Sequence, residues 1–173
     1  SEVLTSNEGF GVSRIIRPEE SLTRYIGKLI EHPEAMQVRE FAGGRACLVS
    51  TRARAGAPMV GKTIGAIRAS MPNLAMRIVA LYRRLPDEPD RFVACDGETR
   101  IEAGDEVFAL SASENIAVVL RGLHRPVGQV TRVVRRVMIA GGGAVGLRLA
   151  QELGQEPGRF HVKIFEENSE RCV

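Results

Sequence analysis

The sequence has no tryptophan and only two tyrosines among its 173 residues. The aromatic platforms on which bases stack are therefore missing, and no nucleic-acid partner is expected. The three cysteines, Cys47, Cys95 and Cys172, stand far apart with no Cys-x-x-Cys spacing. That speaks against a zinc ribbon or a disulfide framework and fits a reducing compartment. No apolar run approaches the ~18–20 residues of a membrane-spanning helix. The first eight residues carry neither a basic start nor an apolar core, so no signal peptide is expected. Lysine is scarce: Lys28, Lys62 and Lys163 are the only three among 24 basic residues. Acids are missing between Ala117 and Met138, where five arginines and His124 stand. Such a stretch can meet phosphates, lipid head groups or an acidic partner, or can simply be a solvated linker.

What is present is a folding composition, 44% hydrophobic and 26% charged with a net charge of +3, outside the range of disordered chains. Four segments follow one another. In residues 1–37, an alternating strand over 11–16 meets Pro18. A helix then opens on Pro18-Glu19-Glu20, where proline suits the first helical position and acids suit the dipole. Leu22, Ile26, Leu29 and Ile30 form its apolar stripe, and His32-Pro33 breaks it. Residues 38–123 read as a small α+β unit. Strands are expected over 45–52, 76–84, 91–94 and 105–110, and a short helix between Pro58 and Met71-Pro72. A last helix carries Ile116, Val118, Val119 and Leu120 and is expected to be capped by Ser113-Glu114-Asn115. Residues 124–132, with Pro126 and Gly128, read as a linker. Residues 133–173 read as strand, glycine-rich turn, helix, strand.

The glycine-rich turn is the informative feature. Val137-Met138-Ile139-Ala140 runs into Gly141-Gly142-Gly143-Ala144-Val145-Gly146 and then into a helical stripe of Leu147, Leu149, Ala150 and Leu153. A second apolar run, Val162-Lys163-Ile164-Phe165, ends on Glu166, 20 residues past Gly146. Gly141, Gly143 and Gly146 fit G-x-G-x-x-G in the context that pattern requires. Gly141 allows a tight turn, Gly143 lets a pyrophosphate approach the backbone, and Gly146 lets the helix sit close on the strand. The helix N-terminus offers N–H groups and a positive dipole end to phosphates. Glu166 is placed to accept ribose hydroxyls and to repel a 2′-phosphate, which favours NAD or an adenine nucleotide over NADP.

Catalytic groups are not evident. His32, His124 and His161 have no partner at the spacing of a nucleophile or proton relay, and His161 reads as a strand-opening residue. Asp87, Glu88 and Asp90 cluster in a proline-broken loop and read as solvated rather than as a metal or acid–base site. No catalytic residue, no metal ligand and no enzymatic activity are expected.

These pieces, in this order, resemble the TrkA-type regulators of bacterial potassium uptake, which carry RCK/KTN domains. The resemblance rests on Pro58-Met59-Val60-Gly61-Lys62, on Ile101-Glu102-Ala103-Gly104-Asp105-Glu106-Val107-Phe108, and on the glycine turn with its following strand and Glu166. It implies a mixed α/β and α+β chain, in which a small α+β RCK C-terminal lobe is flanked by incomplete Rossmann-like pieces. Residues 1–37 would end a first nucleotide-binding lobe, 38–123 would be the C-terminal lobe, and 133–173 would open a second nucleotide-binding lobe. The resemblance further implies a cytoplasmic regulator, peripheral to the inner face of the membrane, that forms a homo-oligomer below a TrkH-like channel subunit. NAD(H) or ATP/ADP would bind at Gly141, Gly143, Ala144, Val145, Gly146 and Glu166. Two other readings stay open: part of a dinucleotide-dependent oxidoreductase, and a ligand-sensing RCK module of another cation transporter. Open apolar strands and the stripe Leu22, Ile26, Leu29 and Ile30 lead to an expectation of self-association through that stripe.

Overall fold

A computed structural model describes residues 16–84, 91–130 and 133–171. The strand read over 11–16 lies outside the described residues apart from Ile16, and so do Asp87, Glu88, Asp90 and Cys172. The chain divides into two compact units. One is residues 28–134; the other gathers residues 1–27 and 135–173. The helix α1, Pro18–Glu31, crosses that division.

The unit of residues 28–134 is built on five strands: β1 Gln37–Phe41, β2 Ala46–Arg52, β3 Met76–Arg83, β4 Arg91–Val93 and β5 Glu106–Ala112. They form one antiparallel sheet in the order β1-β2-β5-β3-β4. Alternation decides which side is covered. Val38, Cys47, Val49, Ile78, Leu81, Val107 and Ala109 turn to one face and are buried with Ile67 of α2, Ile64–Ser70, and with Ile116, Val119, Leu120 and Leu123 of α3, Ile116–His124. This is an α+β lobe. Thr63 Oγ1 caps α2 by accepting the Ala66 N–H at 3.3 Å.

Three local readings need correction. Strand β1 was not foreseen, because Val38 is its only buried residue and its other four are exposed. The cap of α3 is different from the one expected: Ser113–Asn115 is a turn of 3-10 helix, and no side chain caps α3. The Ser113 hydroxyl donates instead to the Gly44 carbonyl, so a residue that suits a cap is used to tie the β1–β2 connection. In α1, Leu22 is 46% exposed while Thr23 is fully buried. Burying Thr23 costs little, because its hydroxyl donates to the Glu19 carbonyl at 2.7 Å. Leu29 packs on the core of the lobe.

In the other unit, β6 Arg136–Ala140 and β7 His161–Phe165 pair in parallel, from Arg136 opposite His161 to Ala140 opposite Phe165. Parallel neighbours need a crossover, supplied by α4, Ala144–Gly154. Leu149 and Leu153 of α4 are buried with Ile139, whereas Leu147, also in the expected stripe, is 45% exposed. Arg148 of α4 pairs with Glu152 at 3.4 Å and with Glu20 of α1 at 3.5 Å. This strand–helix–strand piece is the α/β part of the mixed fold.

Candidate functional site

All six residues singled out by the sequence lie at one end of the β6–β7 pair, where β6 stops and α4 starts. Gly141 has φ +107, a conformation that side chains disfavour. It turns the chain out of β6, and its N–H donates to the Phe165 carbonyl at 2.7 Å. Gly146, in the first turn of α4, is held by contact. A Cβ there would run into the Gly141 carbonyl oxygen and would meet Ile139 Cγ2 at 3.2 Å. Helix and strand therefore approach as closely as a residue without a side chain permits.

Gly143 is different. Its backbone is ordinary, φ −71 and ψ −179, and a Cβ built on it would meet nothing within 4 Å. Neither backbone conformation nor packing requires glycine at this position. Gly143 is the N-cap of α4, and no side chain caps the helix; its carbonyl accepts the Leu147 N–H at 2.9 Å. Ala144 is exposed, and Val145 and Gly146 are half-buried. The first amides of an 11-residue helix thus open beside a glycine with empty space above it, an arrangement suited to an anion.

Glu166 follows β7 directly and is half-buried. One carboxylate oxygen accepts the Gly142 N–H at 2.6 Å and the other accepts the Asn168 N–H at 2.9 Å. Asn168 Oδ1 in turn accepts the Glu170 N–H at 2.9 Å. The sequence pointed to Glu166 as a ribose ligand; the structure adds that the same carboxylate ties the buried Gly142 to the end of β7. Charge-assisted bonds of this kind are short and directional. Sequence reasoning passed over Gly142 and Asn168, since backbone donors leave no mark in the side-chain pattern.

A second polar cluster lies in the motif of residues 101–108. Arg83 grips Asp105 with two nitrogens, Nε to Oδ1 and Nη2 to Oδ2, each at 2.8 Å. It also reaches Glu102 at 2.7 Å and the Arg100 carbonyl at 3.0 Å. Asp105 is 2% exposed and also accepts the Glu102 N–H at 2.8 Å. The hydrogen bonds that Arg83 donates to Asp105 push its guanidinium above its ordinary range. These bonds hold the turn of residues 100–105, which makes the group a structural ion cluster. Among the described residues no three or more His, Cys, Asp or Glu gather as a metal ion would need, and no helix is long and apolar enough to cross a membrane.

A family model described as the TrkA-C domain matches residues 48–123. The Trk system potassium uptake protein TrkA of Halomonas elongata is 42% identical over 170 residues, covering 98% of this chain and 35% of that protein. That of Vibrio alginolyticus is 38% identical over 171 residues, covering 99% of this chain and 35% of that protein. Among solved structures, the GsuK channel is similar at a TM-score of 0.46 and 17% identity, over 92% of this chain and 29% of that one. The chain spans about a third of the length of the curated relatives it matches. The resemblance to TrkA-type regulators thus holds over nearly the whole chain, with residues 48–123 matching the TrkA-C domain and the alignment to TrkA proteins running through almost every other residue.

Proposed function

We propose that the chain is part of a nucleotide-sensing regulatory subunit of a bacterial potassium uptake system, without enzymatic turnover of its own. In this reading the subunit lies in the cytoplasm against the inner face of the membrane, and nucleotide binding changes the gating of a TrkH-like channel subunit. Residues 1–37 close a first nucleotide-binding lobe, 38–123 are the C-terminal lobe, 124–132 link, and 133–173 open a second nucleotide-binding lobe. NAD(H) or ATP/ADP binds at Gly141, Gly143, Ala144, Val145, Gly146 and Glu166. Relatives named for potassium uptake over nearly the whole chain support the link to a potassium uptake system.

The observation that carries the nucleotide reading is Gly143. Of the three motif glycines it is the one the fold does not require, and it stands over the uncapped start of α4. Close approach of a pyrophosphate gives it a reason. Phosphate oxygens take the α4 amides and the positive end of the helix dipole. Glu166, fixed by Gly142 and Asn168, presents a negative acceptor to the ribose hydroxyls and opposes a 2′-phosphate.

Calorimetric titration tests this. NAD(H) or ATP binds more tightly than NADP(H), and Gly143→Asp abolishes binding while the circular dichroism of the protein is unchanged. Glu166→Ala weakens NAD(H) by about 1–3 kcal/mol, the range for hydrogen bonds to a charged group. Equal affinity for NADP(H), or full affinity in Gly143→Asp, would reject the assignment.

A further inference from the structure

The chain enters the sheet of the larger unit through residues 32–36, between α1 and β1, and leaves that unit through residues 124–130, after α3. Both connections are fastened to one stretch, the end of β2 and the turn that follows it. On the way in, the Met36 N–H donates to the Ser50 carbonyl at 2.8 Å. The fully buried Thr51 donates its hydroxyl to the Glu34 carbonyl at 2.6 Å. On the way out, the Leu123 carbonyl accepts the Arg54 N–H at 3.0 Å. His124 Nδ1 lies 3.0 Å from the Arg52 carbonyl, which can only accept, so that nitrogen carries the proton. The Val127 N–H donates to the Gly56 carbonyl at 3.1 Å. Pro126 closes on the same glycine, where a Cβ would meet Pro126 Cβ at 3.4 Å. Arg125 pairs with Glu34 across the two connections, and these side chains are 16% and 18% exposed.

Apolar packing does little to hold the outgoing segment. Val127 and Val130 are 80% and 89% exposed, and a space of about 710 Å³ opens beside Pro33, His124 and Gln129. A segment with so little apolar burial belongs to the part of a fold that opens first. We propose that Glu34 and Arg125 form a clasp that sets how much of the linker is free chain. With the clasp shut, ties within the larger unit run as far as Gln129, whose N–H donates to the Pro126 carbonyl at 3.2 Å. In the other unit the first tie is at Arg135, whose carbonyl accepts the His161 N–H at 2.7 Å. From residue 129 to residue 135 a chain spans at most roughly 20 Å. With the clasp open and the Val127 bond lost, the last tie is at His124, and the span rises to roughly 38 Å. The absence of acids between Ala117 and Met138 leaves Glu34 without a competitor for Arg125 from the linker itself. The clasp uses no residue of the glycine turn and is independent of the nucleotide reading.

Hydrogen exchange of the full chain at neutral pH tests the proposal. The Val127 amide is protected in the wild type. Glu34→Gln keeps the shape and removes the charge, and it speeds exchange at Val127 by more than about tenfold, as losing a hydrogen bond to a charged group does. Val49 and Val107 keep their protection. Charge exchange, Glu34→Arg together with Arg125→Glu, restores protection at Val127. Unchanged exchange at Val127 in Glu34→Gln overturns the proposal, because the Gly56 bond then holds the segment by itself. An equal rise at Val49 and Val107 also overturns it, since the pair would then serve the stability of the whole lobe. So does a folded charge-exchange variant in which Val127 stays unprotected.

Discussion

At the scale of single residues, three glycines of one motif answer to three different causes, and substitutions separate them. Gly146→Ala forces a methyl group into the Gly141 carbonyl and against Ile139. Overpacking of that order costs about 1–3 kcal/mol, which chemical denaturation will read as a lower midpoint. Gly143→Ala meets no atom within 4 Å and removes the entropy of an unfolded glycine, so stability is unchanged or raised by up to about 1 kcal/mol. Nucleotide affinity should fall in both variants. A stability loss in Gly143→Ala equal to that in Gly146→Ala would mean that packing explains both positions. The motif was legible because its glycine spacing stands between a strand pattern and a helix pattern. The tie between Glu166 and the Gly142 amide was not, since any residue can donate a backbone N–H. Thr23 was not legible either: a hydroxyl satisfied by its own helix is buried like a methyl group.

At the scale of elements, the sequence segment 101–108 carries a family likeness that the structure explains through one carboxylate. Asp105 receives two bonds from Arg83 and one from the Glu102 amide while 2% exposed. Asp105→Ala leaves Arg83 Nε and the Glu102 amide without their acceptor, and breaking a buried pair from one side costs about 3 kcal/mol or more. Differential scanning calorimetry will show the loss as a lower Tm; a loss below about 1 kcal/mol would mark the cluster as solvated. The neighbouring turn at Asp96 has a pH signature. Bonds from the Thr99 side chain and backbone hold the Asp96 carboxyl below its ordinary value. Its contribution is therefore present above the unfolded pKa of about 3.9 and disappears as pH falls through the lower folded value. A Tm difference between the wild type and Thr99→Val at neutral pH should thus shrink in strong acid. The strands of this lobe were readable from alternation because β2, β3 and β5 each bury one side. β1 was not, because an edge strand with one buried residue, Val38, has no alternation to show. The turn before α3 was misread for a related reason: Ser113 suits a cap, but a carbonyl at Gly44 stood within reach after folding.

At the scale of the whole molecule, buried apolar side chains are shared unequally between the two units. Among the described residues, sixteen lie in the unit of residues 28–134, from Val38 to Leu123, and three, Ile139, Leu149 and Leu153, in the other. Apolar burial is the main favourable term in folding. A two-stranded parallel pair with one helix is near the lower limit of independent stability. The smaller core should therefore open first, and unfolding of this chain should not be two-state. Hydrogen exchange will report low protection for the amides of Ile139, Leu149 and Ile164 and high protection for those of Val49, Val107 and Leu120. Ligand linkage then connects stability to function. A nucleotide held at the start of α4 stabilises only the unit that contains it, by about 2.7 kcal/mol when present at a hundred times its Kd. NADH or ATP should raise protection at Ile139, Leu149 and Ile164 and leave the sheet of residues 37–112 unaltered. If the nucleotide raises protection at Val107 and Leu120 as much as at Ile139, the two units open together and the lobe of residues 28–134 takes part in sensing directly.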